Sequence, residues 1–383
     1  QKPALDSPLT GHDQPGEFYG YQAGEILRAI ALYLQYKRGI VEDVTFNLKD
    51  SVSDDTDINQ KPEKESELER LSSKITIKNL DVANAWTNYK TAYVKENGYI
   101  LDESQNAAHS ESTGYGLMFE VAGEDPTYFN KTLSWADSNL LNEDTGLYCW
   151  KYQFSSTTPV ADKNNATDGD ILAAWALIKA AVKWQNQTYL DRAKQIINAI
   201  KENCLKQYEG YLLLLPGCYG FDHTTDPDYK YVVINPCYYI FEAFKDFYLV
   251  TEDETWNTLI ADGKRITEDF IANVNPAEKI LPNWFIIEEG GIFNFDPDHN
   301  RQSGWDAIRC PLYAYWYSKE HAWVTLWKNW YATKDTIEQT PAAIDIVSSG
   351  IADAMYPTYT GFMAVYNLVT TDSANAKVSK SSY

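Results

Sequence analysis

The chain has 383 residues, with 33 Lys+Arg against 54 Asp+Glu, a formal net charge of −21. Its 44% hydrophobic content is enough for a real core, which excludes global disorder. The acidity argues against nucleic acid or an anionic membrane as partner, because a surface that repels phosphate releases no counterions on binding. No run of about 18 apolar residues is present to span a bilayer.

In chain order, the first periodic segment is 17–36. Ile26, Ile30 and Leu34, with Leu27 and Ala31 beside them, fall on one face and predict an amphipathic helix that needs a partner surface. Residues 50–74 are polar and charged (Asp54-Asp55, Lys61-Pro62-Glu63-Lys64-Glu65) and read as a linker whose second half begins a helix at 65–71. After Leu80, helical patterns recur at 82–94, 114–121, 127–139, 168–184, 189–203, 237–250, 256–273, 306–317, 322–330 and 361–369. The stretch 170–181 is apolar nearly all round, as a helix buried on two sides would be. Alternating β-type runs are short and few. The expectation is one large, all-α domain with a core over 80–370, built from stacked helix pairs.

Cys149, Cys204, Cys218, Cys237 and Cys310 form no CxxC pair, and the five histidines form no HExxH arrangement. Neither a metal nor a cofactor is expected; the cysteines read as small buried apolar side chains, with one disulfide as the alternative and an odd thiol left over. The opening Gln1-Lys2-Pro3 lacks a signal-like segment, so either the protein is cytoplasmic or a targeting peptide has been removed. The three N-x-S/T triplets, at Asn130, Asn165 and Asn186, read as coincidence.

Three acidic residues stand at or just before predicted helices: Glu111 in Ser110-Glu111-Ser112-Thr113-Gly114, Asp168 in Ala166-Thr167-Asp168-Gly169, and Asp306 in Gly304-Trp305-Asp306-Ala307. Helix capping explains any one of them. Three in similar settings, beside glycine or an aromatic, suggest a common cleft. The chain also carries 12 Trp, 28 Tyr and 14 Phe, rings that fill cores but also stack on sugars. Carboxylates and aromatics in one cleft suit glycoside hydrolysis, which needs one carboxylic acid to protonate the leaving oxygen and a carboxylate to drive attack at the anomeric carbon.

At these residues the chain resembles glycoside hydrolase family 8. The resemblance runs in order from Trp86 to Val369 through His109-Ser110-Glu111, Tyr115-Gly116-Leu117-Met118-Phe119, Trp135 and Gly146-Leu147-Tyr148-Cys149-Trp150-Lys151. It continues through Ala166-Thr167-Asp168-Gly169-Asp170, Leu215-Pro216-Gly217, Asn235-Pro236-Cys237-Tyr238-Tyr239, Pro282-Asn283-Trp284 and Trp305-Asp306-Ala307-Ile308-Arg309-Cys310-Pro311-Leu312. It implies an (α/α)6 barrel with an open substrate groove and an inverting mechanism. Glu111 is then the general acid, Asp306 the base that activates water, and Asp168 the residue that holds the distorted sugar. Arg309, at i+3 from Asp306, is either its ion-pair partner in the site or an ordinary helix salt bridge. Trp150, Tyr238, Tyr239, Trp284 and Trp305 are expected to line the groove, although core packing also explains a Trp at the last two.

Two departures stand out. Ser112-Thr113 replaces the usual Gly-Gln after the acid, and Trp305 replaces the usual Tyr before the base. No helical pattern after residues 361–366 is expected to supply the family's closing helix. Residues 17–36 resemble that helix, which suggests a circular permutation in which they complete the barrel. Asp306 points to β-1,4-glucan, cellulose or mixed-linkage, because the chitosanase branch places its base elsewhere and the xylanase branch differs around Asp168. The alternatives are a chitosanase or xylanase of the same family, or a glycan-binding protein without activity. The expected protein is a secreted monomer that acts on a polysaccharide.

Overall fold

The computed structural model describes residues 66–77, 83–333 and 343–353, with residues 365 and 369. The expected helix at 17–36, and with it the permutation, lies outside the described residues. So do most of the linker and, apart from residues 365 and 369, the segment 361–369.

Ten helices are described: α1 (Glu67–Ser72), α2 (Ala83–Tyr93), α3 (Ser110–Ala122), α4 (Pro126–Asn139), α5 (Thr167–Trp184), α6 (Gln187–Cys204), α7 (Phe241–Thr251), α8 (Thr255–Val274), α9 (Arg309–Tyr317) and α10 (Ala322–Ala332). Burial sorts most of them into two kinds. Every residue of α5 from Thr167 to Val182 is buried, so this helix is enclosed on all sides. In contrast, α6 buries Tyr189, Leu190, Ala193, Ile196, Ile197 and Ile200, a stripe at spacings of three and four, and keeps its other face wet. In α8 the same stripe is Trp256, Leu259, Ile260, Gly263, Ile266 and Phe270.

Contacts follow this division. Helices α3, α5, α7 and α9 touch one another in succession, and α4, α6, α8 and α10 each pack against the helix that precedes them. Three of these hairpins turn on a residue in the left-handed region: Glu124 (φ 57°), Gln185 (φ 52°) and Glu252 (φ 56°). Because each outer helix folds straight back, the next inner helix starts from the same end as the last. The N-termini of the inner row therefore gather at one end of the molecule. A buried polar cluster ties the row together: Trp175 Nε1 donates to Asp246 Oδ2 at 2.7 Å, and Lys179 Nζ pairs with the same oxygen at 2.6 Å.

The long connections that return to that end carry more strand than the sequence suggests. Twelve strands of two to four residues form five small antiparallel sheets among the described residues. One sheet joins Tyr231–Ile234, Phe285–Glu288 and Ile292–Phe295, with Ile234 opposite Phe285 and Phe285 opposite Phe295. Their pairing is non-local, so the short alternating runs gave little sign of it. Two helix starts also shift. The expected 237–250 helix opens as a 3-10 turn, Pro236–Tyr238, capped by Asn235 Oδ1 on Cys237 N at 3.1 Å. The expected 306–317 helix begins at Arg309, which leaves Asp306 in the preceding turn. In the other direction, α3 starts at Ser110 and takes Glu111 into its first turn.

Candidate active site

Glu111, Asp168, Tyr238, Asp306 and Arg309 all lie at the N-terminal ends of inner helices, where the exposed amide groups favour negative charge. Two glycines bring the first pair together. A Cβ on Gly169 would stand 2.6 Å from Ser110 Oγ and 2.8 Å from Glu111 N, and one on Gly114 would stand 2.6 Å from Leu172 Cβ. Only residues without a Cβ let α3 and α5 cross this closely. The start of α5 is pinned from the other side, where Thr167 Oγ1 donates to Leu215 O at 2.8 Å and Thr167 N to Pro216 O at 2.9 Å.

Asp306 is held differently. It sits in a turn whose Gly304 and Ala307 amides both donate to Asn283 Oδ1, at 2.9 and 3.0 Å. Its carboxylate accepts from Trp284 Nε1 at 3.2 Å through Oδ2 and from Arg309 Nη2 at 2.7 Å through Oδ1.

Arg309 joins the three acids. Its Nη1 donates to Glu111 Oε1 and, at 3.3 Å, to Asp168 Oδ2, while Nη2 holds Asp306. The i+3 pair with Asp306 thus exists, but as one arm of a three-carboxylate hub. Capping accounts for none of the three acids fully: Asp168 Oδ1 accepts from Gly169 N at 2.8 Å, and its other oxygen turns to Arg309. Exposure separates the acids. The Glu111 and Asp306 side chains are 32% and 31% accessible, whereas those of Asp168 and Arg309 are 2% and 6% accessible.

One fixed cation faces three carboxylates. Burial pushes Glu111 above the usual carboxylate range, with the charge of Asp306 adding to the effect and Arg309 opposing it. Asp168 is pushed well above its ordinary value, by burial first and then by the Glu111 charge. Under the hub, the Tyr115 and Tyr313 hydroxyls bond to each other. Among the described residues, no group of three or more His, Cys, Asp or Glu is arranged to hold a metal ion.

The expected groove residues divide. Tyr238 is half-buried and meets the Trp284 ring edge-on at 6.3 Å, and burial followed by the neighbouring Asp168 charge raises its phenol well above the ordinary value. Trp150 is half-buried, its carbonyl accepts from Ser110 N at 3.1 Å, and its Nε1 donates to Asp162 Oδ2 at 2.9 Å, so it stands beside the start of α3. Trp305 is half-buried next to Asp306. Trp284 is half-buried and reaches the site through its polar edge, the Nε1–H on Asp306 Oδ2. Tyr239 is a correction: it is 1% exposed, takes Leu214 N on its hydroxyl at 3.1 Å and packs among Phe241, Phe244 and Trp323. The 3-10 turn directs successive tyrosines to opposite destinations, one to the site and one to the core. Asn283 was within the quoted motif Pro282-Asn283-Trp284, but nothing local in the sequence links it to a turn 21 residues away.

The cysteines are mostly buried, as their apolar reading expects; Cys218 alone is intermediate, with its sulfur 3.8 Å from that of Cys204.

A family model for glycosyl hydrolases family 8 matches residues 67–383. An endoglucanase of Cellulomonas uda is 32% identical over 270 residues, which cover 70% of this chain and 72% of that protein. Among solved structures, a family 8 endoglucanase of Klebsiella pneumoniae superposes with a TM-score of 0.69 at 29% identity, covering 78% of this chain and 93% of that one. An endo-β-1,4-glucanase from an Achatina fulica gut metagenomic library gives 0.67 at 30% identity, covering 76% and 89%. This chain, with its three carboxylates gathered on one arginine, belongs to glycoside hydrolase family 8.

Proposed function

We propose that the protein is an endo-acting, inverting glycoside hydrolase that cleaves β-1,4 linkages in β-glucan, either cellulose or mixed-linkage glucan. The observation that carries this reading is the Arg309 hub, in which two partly open carboxylates, Glu111 and Asp306, are held on separate Nη atoms beside a closed one, Asp168. The inner row backed by an outer row supports an (α/α)6 barrel, and the end where the inner N-termini gather supports a groove there. The relatives named above are endoglucanases, which supports the substrate class.

Glu111 donates its proton to the glycosidic oxygen as the bond to the anomeric carbon breaks. A water attacks that carbon from the opposite face and gives a proton to Asp306, which inverts the configuration; such a pair stands roughly 6.5–9.5 Å apart to admit the water. The upward shift of Glu111, from burial and the Asp306 charge, favours the protonated form that the first step needs. Arg309 then stabilises the carboxylate that Glu111 becomes. The resemblance gives Asp168 the sugar at the cleavage point; closed at 2% accessibility, it bears on that point through Arg309, with the half-buried Tyr238 nearby.

The test is reducing-end release from carboxymethyl cellulose, lichenan, xylan and chitosan by the wild type and Glu111→Gln. Release from the first two substrates by the wild type, lost in the variant, is expected. Release from chitosan or xylan alone would move the substrate assignment, and release from none would make the protein a glycan binder.

A further inference from the structure

The indole of Trp284 is placed to hold a carboxylate, and its surroundings are built to keep it there. Its Nε1–H donates to Asp306 Oδ2 at 3.2 Å. One face is covered by His299, whose ring lies 4.5 Å away and 11° from parallel, and Phe221 lies nearly parallel as well, at 6.0 Å and 13°. His299 is itself fixed, because its Nδ1 meets Asp296 Oδ2 at 2.9 Å and the Asp296 side chain is 2% exposed. Asp296 is tied in turn by Asp298 N on its Oδ1 at 2.9 Å. The residue before Trp284 grips the same turn from the backbone side: Asn283 Oδ1 takes the Gly304 and Ala307 amides. Asn283 N donates to Gln302 O at 2.7 Å, which anchors this bracket to the segment leading into the turn.

A ring serving as a sugar platform needs an open face, and its N–H is incidental. Here His299 lies on one face of the ring and the N–H is directed at Asp306. We propose that Trp284 is a positioning residue for Asp306, locked by the His299–Asp296 pair, and that it sets which lone pair of the carboxylate faces the attacking water. With Oδ1 on Arg309 and Oδ2 on Trp284, rotation of the carboxylate is stopped at both oxygens. This inference rests on the reading of Asp306 as the base.

The experiment compares Trp284→Phe, His299→Ala and Asp306→Asn on β-1,4-glucan and on a dinitrophenyl β-cello-oligosaccharide, with thermal melts to confirm folding. Loss of one hydrogen bond to a charged group predicts a fall in kcat of roughly ten- to a hundredfold for Trp284→Phe. KM should stay within about twofold, because no sugar contact is lost. The loss should persist on the dinitrophenyl substrate, where the leaving group needs no acid but the water still needs a base. His299→Ala should lose kcat in the same sense by a smaller factor, and it carries the test if Trp284→Phe does not fold. A raised KM with unchanged kcat would make Trp284 a platform and overturn the proposal, as would wild-type kinetics in both Trp284→Phe and His299→Ala. Wild-type activity in Asp306→Asn would instead overturn the base assignment itself, so the two failures are distinguishable.

Discussion

The two sides of the Arg309 hub are built by different means. On the acid side, Glu111 and Asp168 ride on long helices that cross through Gly114 and Gly169, and backbone packing leaves them little freedom. On the base side, Asp306 sits in a turn before α9, where directed hydrogen bonds from Asn283, Trp284 and Arg309 supply the rigidity that the backbone lacks. The difference suits the chemistry. An acid needs a fixed place against its leaving group, which the close helix crossing provides. A base needs to be aimed at a water, which the directed donors provide.

The comparison can be broken most severely at the carboxylates. Glu111→Gln and Asp306→Asn should each lower kcat by roughly 10²–10⁴-fold, the usual value of general acid or base catalysis. On a dinitrophenyl substrate only Glu111→Gln should recover; equal recovery in both would erase the distinction between the two sides. The next effect is on packing. Gly169→Ala drives a methyl into Ser110 and should cost about 1–3 kcal/mol of stability, read as a lower Tm, with activity falling as α3 shifts from α5. Asn283→Ala leaves two turn amides without their acceptor, and about 1–3 kcal/mol is the expected cost. Its signature should be a lower kcat from a base turn that relaxes, with the melting of the α3–α5 crossing little altered. If Gly169→Ala melts like the wild type, the close crossing is not what sets the acid side.

The residue two positions beyond Asp168 sharpens the same contrast through pH. Asp170 accepts from Tyr148 N and Asn165 Nδ2, both at 2.8 Å, yet burial outweighs these bonds and pushes its pKa from 3.8 to about 7. The folded protein therefore keeps this proton where the unfolded chain has released it. The resulting stability is fully present below about 3.8 and is lost as pH rises through about 7. Asp170→Asn cannot titrate, so its Tm should lie below the wild type at low pH, with the gap narrowing towards neutral pH. A constant gap would show that Asp170 stays ionised in the fold.

How much of this was legible depends on whether the controlling contact is local. The helices from 82 to 330 follow apolar spacing, and α5, apolar nearly all round, reads directly as an enclosed helix. The i+3 relation between Asp306 and Arg309 is equally local. The reach of Arg309 to Glu111, 198 residues away, is not, and no spacing rule predicts it. Trp284 and Tyr239 show the same limit for aromatics: both were candidates to face the groove. One bonds the base through its N–H, and the other is buried in the core, because the direction of a ring is set by neighbours distant in sequence. Asn283 went unread for the same reason. The small strands escaped because each takes its stability from a partner across a loop.

The account stands most directly on the stereochemistry of a single turnover. Proton NMR of the reducing end freshly released from a soluble mixed-linkage or β-1,4-glucan reports its anomeric configuration before mutarotation. An acid and a base acting from opposite faces of the sugar predict the α-anomer as first product; the β-anomer appearing first would contradict them.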